Sequence, residues 1–321
     1  MLRGVRIVVA AILVAALVAA GGAFYAADQY QRPGPLLSAT SVIVPKGADL
    51  PEIARMLKAA NVISDPLIFR AGARVEGSDG SLKAGEYRFA PRVSMQQALA
   101  MLRRGETVVR RVTIPEGMTS PQVVSLLAQA EGLEGEIAAV PAEGALLPET
   151  YSYSWGDSRS EIIRRMSTAM TATLDELWAA RAEGLPLAAP RDALILASIV
   201  EKETGVPEER PRVAAVFLNR LRLGMKLQAD PTVTYAVQGK GEPPRPLTSA
   251  DLQHPSPYNT YVVDALPPGP IANPGRASVQ AVLRPARTDE LFFVADGSGG
   301  HAFARTMDEH KRNVARWRKL N

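Results

Sequence analysis

Asp192-Ala-Leu-Ile-Leu-Ala-Ser-Ile-Val-Glu-Lys-Glu-Thr-Gly205, with Val206 to Tyr235 behind it, is the stretch on which the reading of the chain turns. Leu194, Ile195, Leu196, Ile199 and Val200 cover most of a helix circumference, so the helix is expected to be buried inside a domain. Asp192 is its expected N-cap, and Gly205 followed by Pro207 is the expected stop. Two carboxylates, Glu201 and Glu203, therefore end a buried helix. Desolvation and the negative end of the helix dipole both raise the pKa of a carboxyl in that place, which suits a proton donor at neutral pH. Against this stands the solvated turn, in which Glu201 simply pairs with a nearby Arg. Spacing does not choose between the acids: Glu203 continues the Leu196, Ile199, Val200 stripe and Glu201 the Leu194, Ala197, Ser198 stripe.

Composition narrows the chemistry around that helix. The 321 residues contain no cysteine, which removes disulfides, thiol nucleophiles and thiolate metal sites together. His254, His301 and His310 lack metal-ligand spacing, so neither metal nor cofactor is expected. The formal charge is +4, but Lys and Arg are interleaved with acids along the whole chain. No concentrated basic face or nucleic-acid motif emerges, and nucleic acid is not an expected partner.

Outward from the centre, the sequence divides into an anchor and two folded parts. Residues 1–6 are a short basic start, and residues 7–27 are uncharged, apolar and long enough to span a bilayer. Arg3 and Arg6 place the N-terminus in the cytoplasm by the positive-inside rule, leaving the rest of the chain outside. A signal peptide cut near residues 20–23 or 25–27 is the alternative. Residues 28–40, with Gln31-Arg-Pro-Gly-Pro35, read as a linker. Strand, turn and helix then recur three times, starting at Val42, Tyr87 and Val112, with a further helix over 67–75. Residues 41–110 look like a LysM-like α/β module, a small fold associated with N-acetylated glycans. Residues 111–321 are expected to be a mixed α/β domain built around the buried helix ending in Glu203, which makes the whole chain α+β. Leu146-Leu-Pro-Glu-Thr-Tyr-Ser-Tyr-Ser-Trp155 is either a saccharide subsite, through its aromatic faces, or an ordinary core strand with satisfied Tyr hydroxyls. Residues 291–303 read as strand, glycine turn and strand, and residues 309–319 as a basic helix that docks on the domain or touches anionic wall polymer or lipid.

Five motifs occur in order: Ala197-Ser-Ile-Val-Glu-Lys-Glu-Thr204, the run Asn219 to Tyr235, Tyr258-Asn-Thr-Tyr261, Leu266 to Gly275, and Phe293 to Phe303. In this combination the chain resembles the YceG-like family of endolytic murein transglycosylases over essentially its whole length. The resemblance implies a lyase that cleaves the β-1,4 bond between N-acetylmuramic acid and N-acetylglucosamine within nascent strands, leaving 1,6-anhydro ends. Glu203 matches the acid that ends the catalytic helix of lytic transglycosylases, and Glu201 and Thr204 become supporting residues. Gln228, Tyr258, Asn259, Thr260, Tyr261 and, more remotely, Asn219 are carried over as glycan-binding candidates, with Asn259 facing the acetamido groups. Asp230 is either the second carboxylate of a hydrolase or the N-cap of the helix beginning at Pro231. Where relatives carry Phe or Trp before Pro148 and Asp after it, this chain has Leu147 and Glu149. The resemblance also implies an inner-membrane protein with its catalytic domain outside the cytoplasm, and cell-wall synthases such as penicillin-binding proteins as partners. A water-using muramidase and a non-catalytic glycan-binding scaffold are the competing readings.

Overall fold

The computed structural model describes residues 2–78, 80, 82–238 and 245–320; Met1, the first residue of the expected cytoplasmic stretch, lies outside these. Eleven α-helices and six strands alternate along the described residues, an α+β arrangement.

Helix α1 (Leu2–Gln31) outruns the apolar stretch at both ends, and Gly4–Gln31 is long and apolar enough to cross a membrane. The expected linker over 28–40 is not one. Gln29 and Tyr30 are buried, and Tyr30 and Leu36 belong to the core of the first folded unit. The cause is a notch at Gly72, where a Cβ atom would run into the Tyr30 ring. The Tyr30 hydroxyl then donates to Glu76 Oε1 at 2.8 Å. Helix α1 therefore runs on into the fold and stops only at Pro33, which cannot continue it.

The chain divides into two compact units, with the main break between Arg110 and Arg111 and with residues 131–134 and 152–157 joining the first. That unit holds β1 (Thr40–Val44), α2 (Leu50–Ala59), α3 (Pro66–Val75), β2 (Gly85–Phe89) and α4 (Met95–Arg104). β1 and β2 pair antiparallel with Val42 opposite Tyr87. Alternation puts Val42, Val44, Tyr87 and Phe89 on one face, buried against Ile53, Leu57, Phe69, Leu99 and Leu102 of the helices. Ser94 and Gln97 cap α4 reciprocally, each side chain bonding the other's backbone N–H.

β3 (Arg110–Thr113), α5 (Ser120–Gln129) and β4 (Thr150–Tyr153) come next, with β3 paired to β4. The aromatic stretch is a core strand. Tyr151 and Tyr153 are buried, and their hydroxyls donate to the carbonyls of Leu147 and Glu131 at 2.8 and 2.9 Å. α6 (Arg159–Ala179), α7 (Pro190–Glu203), α8 (Arg210–Arg222), α9 (Asp230–Val237) and α10 (Arg276–Leu283) follow, then the hairpin β5 (Phe292–Ala295) and β6 (His301–Ala304), and α11 (Met307–Trp317).

α7 is the centre of the second unit and touches α6, α8, α9 and α10. Ala193 and every residue from Ile195 to Val200 are buried. Each large aliphatic side chain among them contributes roughly 1.5–3 kcal/mol on burial. The helix begins two residues earlier than Asp192, because Pro190 at its first position is pre-set for helical φ. Asp192 is thus not the N-cap; from the first turn its carboxylate reaches back to accept from the N–H groups of Ala188 and Ala189 at 2.8 and 3.1 Å. α10, which carries no long periodic pattern, is absent from the sequence-based expectation. α11 packs against β5 and β6, with the buried Asn313 donating to the Phe303 carbonyl.

Candidate active site

Two residues apart on a helix, side chains diverge by about 200°, and this separates the two acids at the end of α7. Glu201 turns toward the loop before α10, where it accepts from the Gly275 N–H at 2.9 Å and from Arg210 Nη2 at 3.3 Å, with its side chain 5 % exposed. Arg210 also reaches Glu116 at 3.1 Å. Glu201 is consumed in joining α7, α8 and the N-terminus of α10.

Glu203 faces a cavity of about 250 Å³ lined by Phe217, Arg220, Leu227, Gln228, Asp230, Tyr261, Phe293, Val294, Ala295 and His301. Among the described residues no side chain donates a hydrogen bond to it. Its pKa is pushed up from 4.5 to about 8, first by desolvation and then by the negative charge of Asp230, with Arg220 acting in the opposite direction. At neutral pH this carboxyl holds its proton.

The wall opposite is fixed by a buried cation. Arg220, 8 % exposed on α8, donates to the carbonyls of Leu227 and Leu291 at 2.7 Å each, tying the segment before Gln228 to the start of β5. Burial lowers its pKa, yet a guanidinium stays charged. Gln228 is held at φ +49°, a left-handed conformation unusual for a side chain larger than Asn, and its N–H donates to the Thr260 carbonyl at 3.1 Å. Asp230 does not cap α9, whose N-cap is Ala229. Its Oδ1 accepts instead from the Tyr261 hydroxyl at 2.6 Å, because Thr260 Oγ1 already takes the Ala229 N–H at 2.9 Å and sets the entry of the helix. Burial and the bond to Asp230 raise the Tyr261 pKa, so the phenol remains a donor.

The loop Tyr258-Asn-Thr-Tyr261 thus divides its work. Only Tyr261 reaches the cavity. Asn259 is fully buried and its polar atoms serve the loop: Nδ2 donates to the carbonyls of Leu252 and His254 at 3.1 and 2.9 Å, and Oδ1 accepts from the Tyr261 N–H at 2.9 Å. Thr260 also bonds Thr232 Oγ1 at 2.9 Å, and Tyr258 packs on Tyr235 with ring centres 4.9 Å apart. Asn219 lies away from the cavity, donating to the carbonyls of Thr288 and Glu290 at 2.8 and 3.0 Å. Thr204 is buried, accepts from the Val206 N–H at 3.0 Å and donates to Glu209 Oε2 at 3.3 Å. Sequence reasoning passed over Arg220 and His301, although both stand inside the motifs that carry the resemblance. Their signal was a polar residue embedded in each motif without an assigned task.

The profile of the YceG-like family matches residues 42–316. An endolytic murein transglycosylase of Bacillus subtilis is 29% identical over 91% of this chain and 89% of its own length. A protein of the same name from Streptococcus pneumoniae is 29% identical over 86% of this chain, which spans 58% of that longer relative. A solved YceG-like protein of Listeria monocytogenes superposes with a TM-score of 0.54 at 29% identity, over 86% of this chain and 98% of that one. Matched by its profile along most of its length, the chain belongs to the YceG-like family.

Proposed function

We propose that the protein is a membrane-anchored endolytic lytic transglycosylase, a carbon–oxygen lyase that cuts the β-1,4 bond between N-acetylmuramic acid and N-acetylglucosamine inside a peptidoglycan strand. The observation that carries this reading is Glu203, a carboxyl that faces a cavity and stays protonated to about pH 8. Its family and the names of its relatives point the same way.

In this reading the Glu203 proton passes to the glycosidic oxygen as the bond from the muramoyl C1 breaks. The resulting carboxylate takes the proton of the muramoyl C6 hydroxyl, whose oxygen closes on C1 to give the 1,6-anhydro ring. Glu203 ends as it began, and no water is consumed. Asp230 favours the protonated form of Glu203 and Arg220 the ionised form, so the two neighbours suit an acid that must alternate between both. Gln228 and Tyr261 contact the glycan, while Asn259, Thr260, Tyr258, Glu201 and Thr204 hold the walls. The first unit serves as a LysM-like module that holds N-acetylated glycan. α1 anchors the protein in the inner membrane with both units outside the cytoplasm, where cutting nascent strands ends their elongation beside synthases such as penicillin-binding proteins.

A second reading rests on Asp230, which shares the cavity with Glu203 and could serve a water-using muramidase. Mass spectrometry of the soluble products from purified peptidoglycan separates the two. Anhydromuramoyl ends from the detergent-solubilised wild type, absent with Glu203→Gln, are the expected result. Reducing ends would shift the mechanism to hydrolysis, and binding without any product would leave a scaffold.

A further inference from the structure

His301 is the one titratable group of the cavity that the mechanism above leaves unused, and the structure has built a mount for it. It opens β6 directly opposite Ala295, at the mouth of the β5–β6 hairpin. Glu209, at the start of α8, grips it twice: Oε1 accepts the His301 backbone N–H at 2.8 Å and Oε2 meets Nδ1 at 2.6 Å. Gly300 leaves room for the approach, since a Cβ there would stand 2.8 Å from Glu209 Oε1. Thr204, one residue beyond Glu203, donates to the same Oε2 at 3.3 Å and so fixes the carboxylate in turn. The Phe293 ring meets the imidazole edge-on, with centres 5.3 Å apart.

This mount decides what the ring presents. A carboxylate only accepts, so in the neutral imidazole the proton sits on Nδ1 and Nε2 carries a lone pair. Nε2 has no partner among the described residues, and His301 lines the cavity that Glu203 faces. A lone pair held rigid in a glycan cleft matches a hydroxyl or acetamido N–H of a sugar.

We infer that His301 is a substrate-contacting residue whose Nε2 accepts a hydrogen bond from a sugar donor beside the scissile linkage, and that Glu209 is its positioning residue. The inference rests on the glycan-cleaving reading of the same cavity. A chain of bonds from Thr204 through Glu209 to His301 then ties the far wall of the cavity to the end of the helix that carries Glu203.

The two amide replacements of histidine test this, because the Asn amide occupies the position of Nδ1 and the Gln amide that of Nε2. Cleavage of purified glycan strands is measured for the full-length solubilised chain as wild type, His301→Ala, His301→Asn and His301→Gln, with thermal unfolding beside it. His301→Ala and His301→Asn are expected to lose roughly tenfold or more in kcat/KM, the loss of one well-placed hydrogen bond. His301→Gln should recover to within a few-fold of wild type, while His301→Asn alone restores the melting temperature by renewing the bond to Glu209. Wild-type rates with His301→Asn, or His301→Gln no faster than His301→Ala with both variants folded at the assay temperature, would overturn the inference and leave His301 a structural partner of Glu209. Affinity for uncut strands, measured in a Glu203→Gln background, should follow the same order and does not depend on which products form. If the wild type neither binds nor cuts glycan, it is the proposed function that fails.

Discussion

Replacing Glu203 by Gln should abolish cleavage and at the same time make the protein more stable, by an amount that depends on pH in a defined way. A carboxyl whose pKa rises from 4.5 unfolded to about 8 folded is protonated in both states below pH 4.5 and imposes nothing there. Between the two values the unfolded chain gains by ionising and the folded chain does not, so stability falls steadily, and above about pH 8 the loss is constant. At pH 7 the span is 7 minus 4.5, or 2.5 pH units. At about 1.4 kcal/mol per unit, this destabilises the wild type by up to about 3.5 kcal/mol. Gln keeps the shape and cannot ionise, so Glu203→Gln should melt higher by on the order of 5–10 °C at neutral pH. The check is thermal unfolding by circular dichroism of both solubilised proteins, from pH 4.5 to pH 8. The two melting temperatures should converge at the acid end and separate as pH rises. A difference that does not vary with pH, or a wild type that melts higher at pH 8, would refute the argument that Glu203 is held protonated by burial.

Asp230→Asn leaves the Tyr261 hydroxyl an acceptor but removes a charge that keeps Glu203 protonated. The screened Coulomb term of an exposed carboxylate on a neighbour lining the same cavity is on the order of 0.5–1 kcal/mol. The alkaline limb of the kcat/KM profile should therefore move down by about half a pH unit, and an unmoved limb would mean that Asp230 does not act on Glu203. Asn259→Ala leaves the Leu252 carbonyl and the Tyr261 N–H without their partner and takes one of two bonds from the His254 carbonyl, in a part-buried loop. It should destabilise by about 2–3 kcal/mol, seen as a lowered melting temperature; a variant with normal stability and only a raised KM would return Asn259 to the glycan. Gln228→Gly should relieve the left-handed strain and stabilise by up to about 1 kcal/mol while raising KM through the lost side chain, and a fall in melting temperature would contradict the strain.

What the sequence disclosed of the site depended on range. Apolar periodicity marked α7 as buried and the glycine-rich turn at residues 296–300 marked the hairpin, because both signals lie within a few residues of the element they create. The tie between Glu201 and Glu203 could not be broken from within the helix. In the structure the two part company through the Gly275 N–H and Arg210, which reach Glu201 from another loop and another helix. Asn259 illustrates the opposite error, since a polar residue in a proline-rich loop reads as exposed and available. Whether its amide turns outward depends on where the carbonyls of Leu252 and His254 point, and local pattern does not encode that. Asp230 was a persuasive cap in sequence, but the hydroxyl of Thr260 had already satisfied the entry to α9. The expected linker failed for a similar reason, as nothing near residue 30 announces a glycine notch 42 residues later at Gly72.

That notch sets the dimensionality of the protein's search. A flexible tether of n residues would let the first unit sweep a volume with a radius of roughly 5–6 Å times the square root of n. With Tyr30 locked over Gly72, the apolar helix α1 and the first unit form one piece. Only about 4.5 Å of helix separates the end of the apolar run from Tyr30 at the rise of a regular helix. With α1 in a bilayer, as proposed above, the height of that unit above the membrane would be fixed by construction, and it would meet its surroundings by lateral diffusion in a single thin layer.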